Sequence, residues 1–177
     1  GDFLMRSQLD AYDPRLPGTG MFDIKTRSIA SIRMSTTDYK PMLGYEILTQ
    51  QGAWESYERE YYDMMRSTML KYMLQARMGR MDGIFLAYHN VQRIFGFQYM
   101  PIAEIDRAIH GQIDRCLGDQ EFKISLDLLN KVLEEATAKF PNKSLRLHFE
   151  TRTVPVPAMY VFAEPMEEEQ IDKIQSK

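Results

Sequence analysis

The sequence predicts an α/β (α+β) protein: a central mixed β-sheet flanked by helices, built as a single domain over residues 1–177. Three observations carry that expectation. Short apolar or alternating runs bounded by Pro, Gly and Asn read as strands, and longer runs with a 3.6-residue period read as helices. The two kinds interleave as strand, strand, long helix, strand, strand, helices, strand, strand, the order of a sheet with helices laid on it. The chain is 44% hydrophobic and 27% charged, enough apolar surface for a core and too little bias for a disordered tail.

Residues 3–12 form the first predicted strand and 21–34 the second. The loop between them, Pro14 to Gly20, opens on the turn-starting pair Asp13-Pro14, so the two strands read as a hairpin. A long helix is expected from Glu55 to Met78, ended by Gly79 as C-cap. Gly83 to His89 is nearly all apolar, like a strand covered on both faces, and Arg93 to Met100 follows across a turn at His89-Asn90. Pro101 suits the first position of a helix reaching His110. A further helix at 119–139 draws its apolar side from Leu126, Leu128, Leu129, Val132 and Leu133. Leu145, Leu147 and Phe149 alternate with Arg146, His148 and Glu150, as in a half-buried strand, and Ala158 to Ala163 reads as its partner. An acidic helix is expected from Glu167 onward. The opening residues run directly into a strand pattern, as if inside a domain and without a targeting peptide, so the chain is expected to be a fragment whose targeting signal lies upstream.

The second strand carries the chemistry. Successive side chains point to opposite faces, so Phe22, Ile24, Thr26, Ala30 and Ile32 share a mostly apolar face and Asp23, Lys25 and Arg27 share the other. In the first strand Phe3, Met5, Leu9 and Ala11 form the apolar set, and Arg6, Gln8 and Asp10 alternate with them. A hairpin then brings Asp10 beside Asp23 and Lys25. Asp13 has the other parity and precedes proline, so it reads as a turn residue; a bulge would exchange the two roles. Paired carboxylates repel unless a cation joins them. Mg2+ or Mn2+, hard ions that take oxygen ligands, would suit Asp10, Asp23 and the backbone carbonyl of Ile24. A metal-bound water and Lys25 on the same face make a site for phosphodiester hydrolysis. The bland reading of the same triplet is a solvated strand face with a weak ion pair.

Other classes fall away. The formal net charge of −3 and a pI near 5.7 count against a protein that coats nucleic acid by charge alone, although bound divalent metal adds positive charge that the count omits. The single cysteine, Cys116, makes neither an internal disulfide nor a cysteine zinc site, and His89, His110 and His148 show no metal-binding spacing. No apolar run is long enough to span a membrane.

Asp10 followed by Gly20-Met21-Phe22-Asp23-Ile24-Lys25-Thr26-Arg27 resembles the D…(D/E)-x-K core of the PD-(D/E)XK nuclease superfamily, above all its RecB-type and lambda-exonuclease-type branches. The resemblance implies a restriction-endonuclease-like core, with Asp10, Asp23 and Lys25 catalytic. The helix that usually precedes the hairpin there, often bearing a metal-binding glutamate, is not visible in this chain. The string Tyr12 to Gly20, the Tyr/Met-rich helix and the string Met81 to Asn90 are similar to a fungal mitochondrial messenger-RNA-processing family implicated in 5′-end trimming. That similarity implies a mitochondrial, membrane-associated nuclease acting on the 5′ end of single-stranded RNA. It would work with the mitochondrial RNA-degradation or transcription machinery, at the inner membrane, without a spanning segment in this chain.

Related exonucleases carry a glutamine or tyrosine on the helix after the hairpin. On a helical wheel Tyr57, Tyr61, Met64, Met65, Met69, Tyr72 and Ala76 gather as the inner face of residues 55–78, broken by Glu58, Thr68 and Gln75. Gln75 is the expected residue reaching the site, with Lys71 at the face edge and Arg27 on the strand as substrate contacts. Solvated side chains at 71 and 75 are the plain alternative. Arg77, Arg80 and Arg93 extend a basic track beyond them. Two other readings stay open: a non-catalytic nuclease-like RNA-binding or scaffold module, and a DNA repair exonuclease.

Overall fold

A computed structural model describes residues 4–176. It divides into two compact units, the first ending at Phe122 and the second beginning at Lys123. The first holds a mixed four-stranded sheet in the order β1 (Ala11–Tyr12), β2 (Met21–Ser28), β3 (Gly83–His89) and β4 (Ile94–Pro101). The β1–β2 and β3–β4 pairs are antiparallel and β2–β3 is parallel. A parallel pair needs a long crossover. Here it is α1 (Ala30–Met34), a single 3-10 turn at Lys40–Met42, α2 (Tyr57–Ser67) and α3 (Met69–Met78). After β4 come α4 (Ile102–His110) and α5 (Cys116–Lys139), then the hairpin β5 (Ser144–Arg152) and β6 (Ala158–Met166), and α6 (Glu168–Gln175). The expected mixed sheet flanked by helices is therefore present.

Three elements depart from the sequence reading. The first strand shrinks to Ala11–Tyr12, because the N–H of Ile24 goes to the side chain of Asp10 (Oδ2, 3.0 Å) where a longer β1 would offer backbone. Its first predicted residue, Phe3, lies outside the described residues. The second strand stops at Ser28 instead of running to 34. Ile29, Ala30 and Ile32 are buried on a helical turn whose Ala30 N–H is taken by Glu60 Oε1 at 2.7 Å, so their spacing served a helix. The long helix breaks at Thr68, which has φ −122°. Ser67 and Thr68 at the break receive the Arg27 guanidinium from β2.

The core of the first unit packs one sheet face against the helices. Met64, Met69, Met73 and Ala76 meet Ile84, Leu86 and Tyr88 of β3, Met100 of β4, and Ile102 and Ile105 of α4. Methionine is unbranched and adapts to irregular gaps, which suits a helix pair with a break. Ser56 starts α2, its Oγ accepting the Arg59 N–H at 3.1 Å. Gly79 ends α3 as expected, but with φ −81°; the left-handed residue is Arg80, φ +52°. A Cβ at 79 would stand 2.5 Å from Met81 Cε, the end of a flexible side chain that can yield.

In the second unit β5 and β6 pair from Ser144↔Met166 to Arg152↔Ala158, which makes Ala158 onward the partner strand as expected. Val132 and Ala136 of α5 and Phe140 just after it line a cleft with Val161 and Ala163 of β6. No helix among the described residues is long and apolar enough to cross a membrane.

Candidate active site on strand β2

Strand alternation sends Asp23, Lys25 and Arg27 toward the helices, and Asp23 and Arg27 are 2% and 4% exposed. The preceding loop sets the start of β2. Thr19 Oγ1 and the Gly20 N–H both donate to Asp82 Oδ2, at 2.7 and 2.8 Å. Gly18, at φ +79°, lies so close that a Cβ would stand 2.3 Å from Asp82 Oδ1. The Pro17-Gly18-Thr19-Gly20 loop is thus fastened to the residue just before β3. Asp13 closes the turn by holding Arg15, which lowers its pKa to about 2. Its carboxylate is engaged in the loop, away from the strand face.

Asp10 stands immediately before β1, opposite Asp23. Its carboxylate accepts from the Ile24 N–H and lies within hydrogen-bond reach of the Asp23 carboxyl. Two negative charges so placed cannot both be comfortable. Burial first, and Asp10 second, push the Asp23 carboxyl above its ordinary pKa, while Asp10 is held below its own by the Asp23 hydrogen bond and the Ile24 N–H. Lys25 pairs with Asp23 and opposes part of that rise.

The residues fit a hard divalent cation in part. The donors are oxygens, and the strained carboxyl pair is what a cation would relieve. Among the described residues no group of three or more His, Cys, Asp or Glu is placed to hold a metal. Mg2+ is commonly held by one or two carboxylates with waters and substrate phosphate completing the shell, so two acids are compatible with it.

The remaining predicted residues scatter. Arg27 is buried, donating to Thr68 Oγ1 at 3.0 Å and Ser67 Oγ at 3.3 Å, so its guanidinium meets the helix break where a substrate contact was expected. Lys71 is exposed on α3. Gln75, one turn on, is exposed too and lines a shallow cleft with Ser7, Gln8, Leu74 and Met78. Arg77 leaves the expected basic track, buried against Asp106 through two hydrogen bonds of 2.8 and 2.7 Å. The residue that does come to Lys25 is Tyr72, whose ring centroid is 5.9 Å from the ammonium and whose hydroxyl lies beside Arg27. The helical wheel places Tyr72 on the inner face but does not single it out for the site. The available signal was Thr68, a polar residue on that face one turn earlier, which marks where a partner from β2 arrives.

Fold and site together define a mixed α/β protein with a carboxylate pair and a lysine at the mouth of a short hairpin. The chain belongs to the family of mitochondrial protein Pet127, whose sequence profile matches residues 1–134. It is 46% identical over 162 residues to the "mRNA degradation protein pet127, mitochondrial" of Schizosaccharomyces pombe, covering 91% of this chain and 30% of that protein. It is 55% identical over 112 residues to Saccharomyces cerevisiae PET127, whose name places it provisionally in the mitochondrial translation system; the match covers 62% of this chain and 14% of that protein. The chain therefore spans under a third of either relative's length. Family and relatives alike are mitochondrial. No solved structure matches the chain.

Proposed function

We propose that this chain carries the PD-(D/E)XK-type core of a metal-dependent nuclease that acts on RNA in mitochondrial mRNA 5′-end processing or degradation, as a 5′ exonuclease. The observation that carries the reading is the Asp10–Asp23 carboxyl pair with Lys25 against it. The printed name of the fission-yeast relative, an mRNA degradation protein, supports RNA as the substrate. Asp10 and Asp23 would hold Mg2+ or Mn2+, with the carbonyl of Ile24 on the same strand edge as its N–H, which already meets Asp10. Such an ion lowers the pKa of a bound water and stabilises charge on a phosphoryl group. Lys25 orients the attacking water and neutralises the charge that builds on the phosphate oxygens. Water oxygen bonds to phosphorus, the bond to the leaving ribose oxygen breaks, and that oxygen leaves with a proton. Tyr72 keeps Lys25 in place, Lys71 and Gln75 stand on the open side of α3 to meet the strand, and Arg27 braces the helix break behind them. Partners in the RNA-degradation or transcription machinery, and attachment to the inner membrane, belong to the same reading.

The test is hydrolysis of a 5′-monophosphorylated, 3′-labelled single-stranded RNA with Mg2+ or Mn2+. The intact protein should consume it, and Asp23→Ala should lower the rate by about a hundredfold to a thousandfold or more. Equal rates for the two proteins would remove the carboxylate pair from the mechanism. RNA bound by both but cut by neither would favour a scaffold, and preference for DNA a repair exonuclease.

A further inference from the structure

The outward side of α2 carries a feature the carboxylate site does not use. Arg59, Tyr62 and Arg66 recur at i, i+3 and i+7, so they form one stripe, and Trp54 stands just before the helix. Trp54 and Tyr62 are each 48% exposed. An arginine lies over each ring: Arg59 Cζ is 5.8 Å from the Trp54 centroid and Arg66 Cζ 5.4 Å from that of Tyr62.

Arg59 reaches Met34 Sδ at 4.0 Å and Arg66 donates to the Tyr62 hydroxyl at 3.4 Å, neither of them an acidic partner. The carboxylates of α2 are engaged elsewhere: Glu60 and Asp63 hold Arg33, and Glu58 accepts from the Gly52 N–H at 2.8 Å. Neither Arg59 nor Arg66 makes an ion pair within 4 Å among the described residues. The β5–β6 ribbon offers the contrast. It too exposes a ring beside a cation, with Arg152 over Tyr160 at 5.1 Å. There Arg146 is paired with Glu164 and Arg152 with Glu150, so the face is close to neutral. Exposed rings with free guanidinium charge are the combination that holds a single strand: bases stack on the rings and phosphates meet the arginines.

We propose that the Trp54–Arg59–Tyr62–Arg66 stripe is a binding site for single-stranded RNA. It rests on the reading of this chain as an RNA-handling protein and extends it along α2. Its C-terminal end leads to β2: Arg66 precedes Ser67, which receives Arg27, and Arg27 is two residues from Lys25 on the same strand face.

The experiment is fluorescence anisotropy of a labelled, 5′-phosphorylated oligouridine in chelator, so that affinity is read without hydrolysis. Tyr62→Ala should weaken binding about tenfold, the size of one lost base stack. The double variant Arg59→Gln/Arg66→Gln should lower the slope of log affinity against log salt by about 0.7 for each arginine. Duplex RNA should compete poorly. Tyr62 and Arg66 are exposed, and a circular-dichroism melt checks that each variant is folded. Wild-type affinity and salt slope in both stripe variants, equal competition by duplex, or no binding by the intact protein would overturn the site. Wild-type affinity in the stripe variants beside Asp23-dependent cleavage would leave the nuclease reading standing alone. Stripe-dependent binding without cleavage would leave the stripe standing alone.

Discussion

The two faces of the four-stranded sheet follow opposite rules. Toward the helices stand Asp23, Lys25 and Arg27 of β2, beside Leu86 and Tyr88 of β3 and Met100 of β4. On the other side Tyr99, Phe22, Phe85 and Phe97 touch in series, with ring centroids 6.1 to 6.5 Å apart. Yet Ile24 and Phe97 on that side are 46% and 65% exposed. The charged strand face is the covered one and the aromatic face is open. An ordinary half-covered sheet would do the reverse, since burying a charge costs far more than leaving a ring in water. Covered charges of this kind occur at functional sites and in structural ion-pair networks alike, and Arg27 at the helix break is of the second kind.

Methionine 100 should give the largest stability effect that sharpens the contrast. Met100→Ala, at 1% exposure on the covered face, should cost about 2–5 kcal/mol in urea unfolding. A cost below that of an exposed site would mean that the covered face is loosely packed. Arg27→Met should follow at about 1.5–3 kcal/mol, because two charge-assisted hydrogen bonds to Ser67 and Thr68 are lost. It should also slow hydrolysis more than its stability loss explains, since the α2–α3 break and Tyr72 are released; an unchanged rate would confine Arg27 to the fold.

Asp23 turns the contrast into a dependence on pH. Its folded pKa is raised, chiefly by burial, so folding favours the protonated form. The stability it contributes is full below the ordinary carboxylate range and is lost as pH rises through the raised value. In chelator, Asp23→Asn cannot ionise and still donates to Asp10, so it should melt higher than the wild type at neutral pH, and the gap should close in acid. A lower melting temperature at every pH would show that the charged form is the stable one. The smallest effect belongs to the open face: Phe97→Thr should shift stability by no more than about 0.5 kcal/mol and leave hydrolysis unchanged. A large loss there would show that the aromatic face is covered in solution.

Much of this was legible in the residues. The pairing of β1 with β2 followed from Asp13-Pro14 and the alternation on each side, and so did the meeting of Asp10 with Asp23. The partnership of β5 and β6 followed from the same period of two. These are local properties of neighbouring residues. Ile29 to Met34 were misread because Ile29 and Ile32 suit either a strand or a helical turn, and Glu60, thirty residues from Ala30, decides between them. Thr68 looked like a polar flaw in one helix because the guanidinium it serves comes from β2. Arg27 and Arg77 looked like surface cations because their partners lie forty and twenty-nine residues away.

What the sequence by itself determined is the order of the elements, the two parities of β2 and the set Asp10, Asp23, Lys25. Alternation says which side chains share a face, and a short loop says which strands adjoin. Only the tertiary structure decided which of those faces the helices cover. That choice sums contacts from α2, α3 and β4, far along the chain, and it is what raises the Asp23 carboxyl and brings Tyr72 to Lys25.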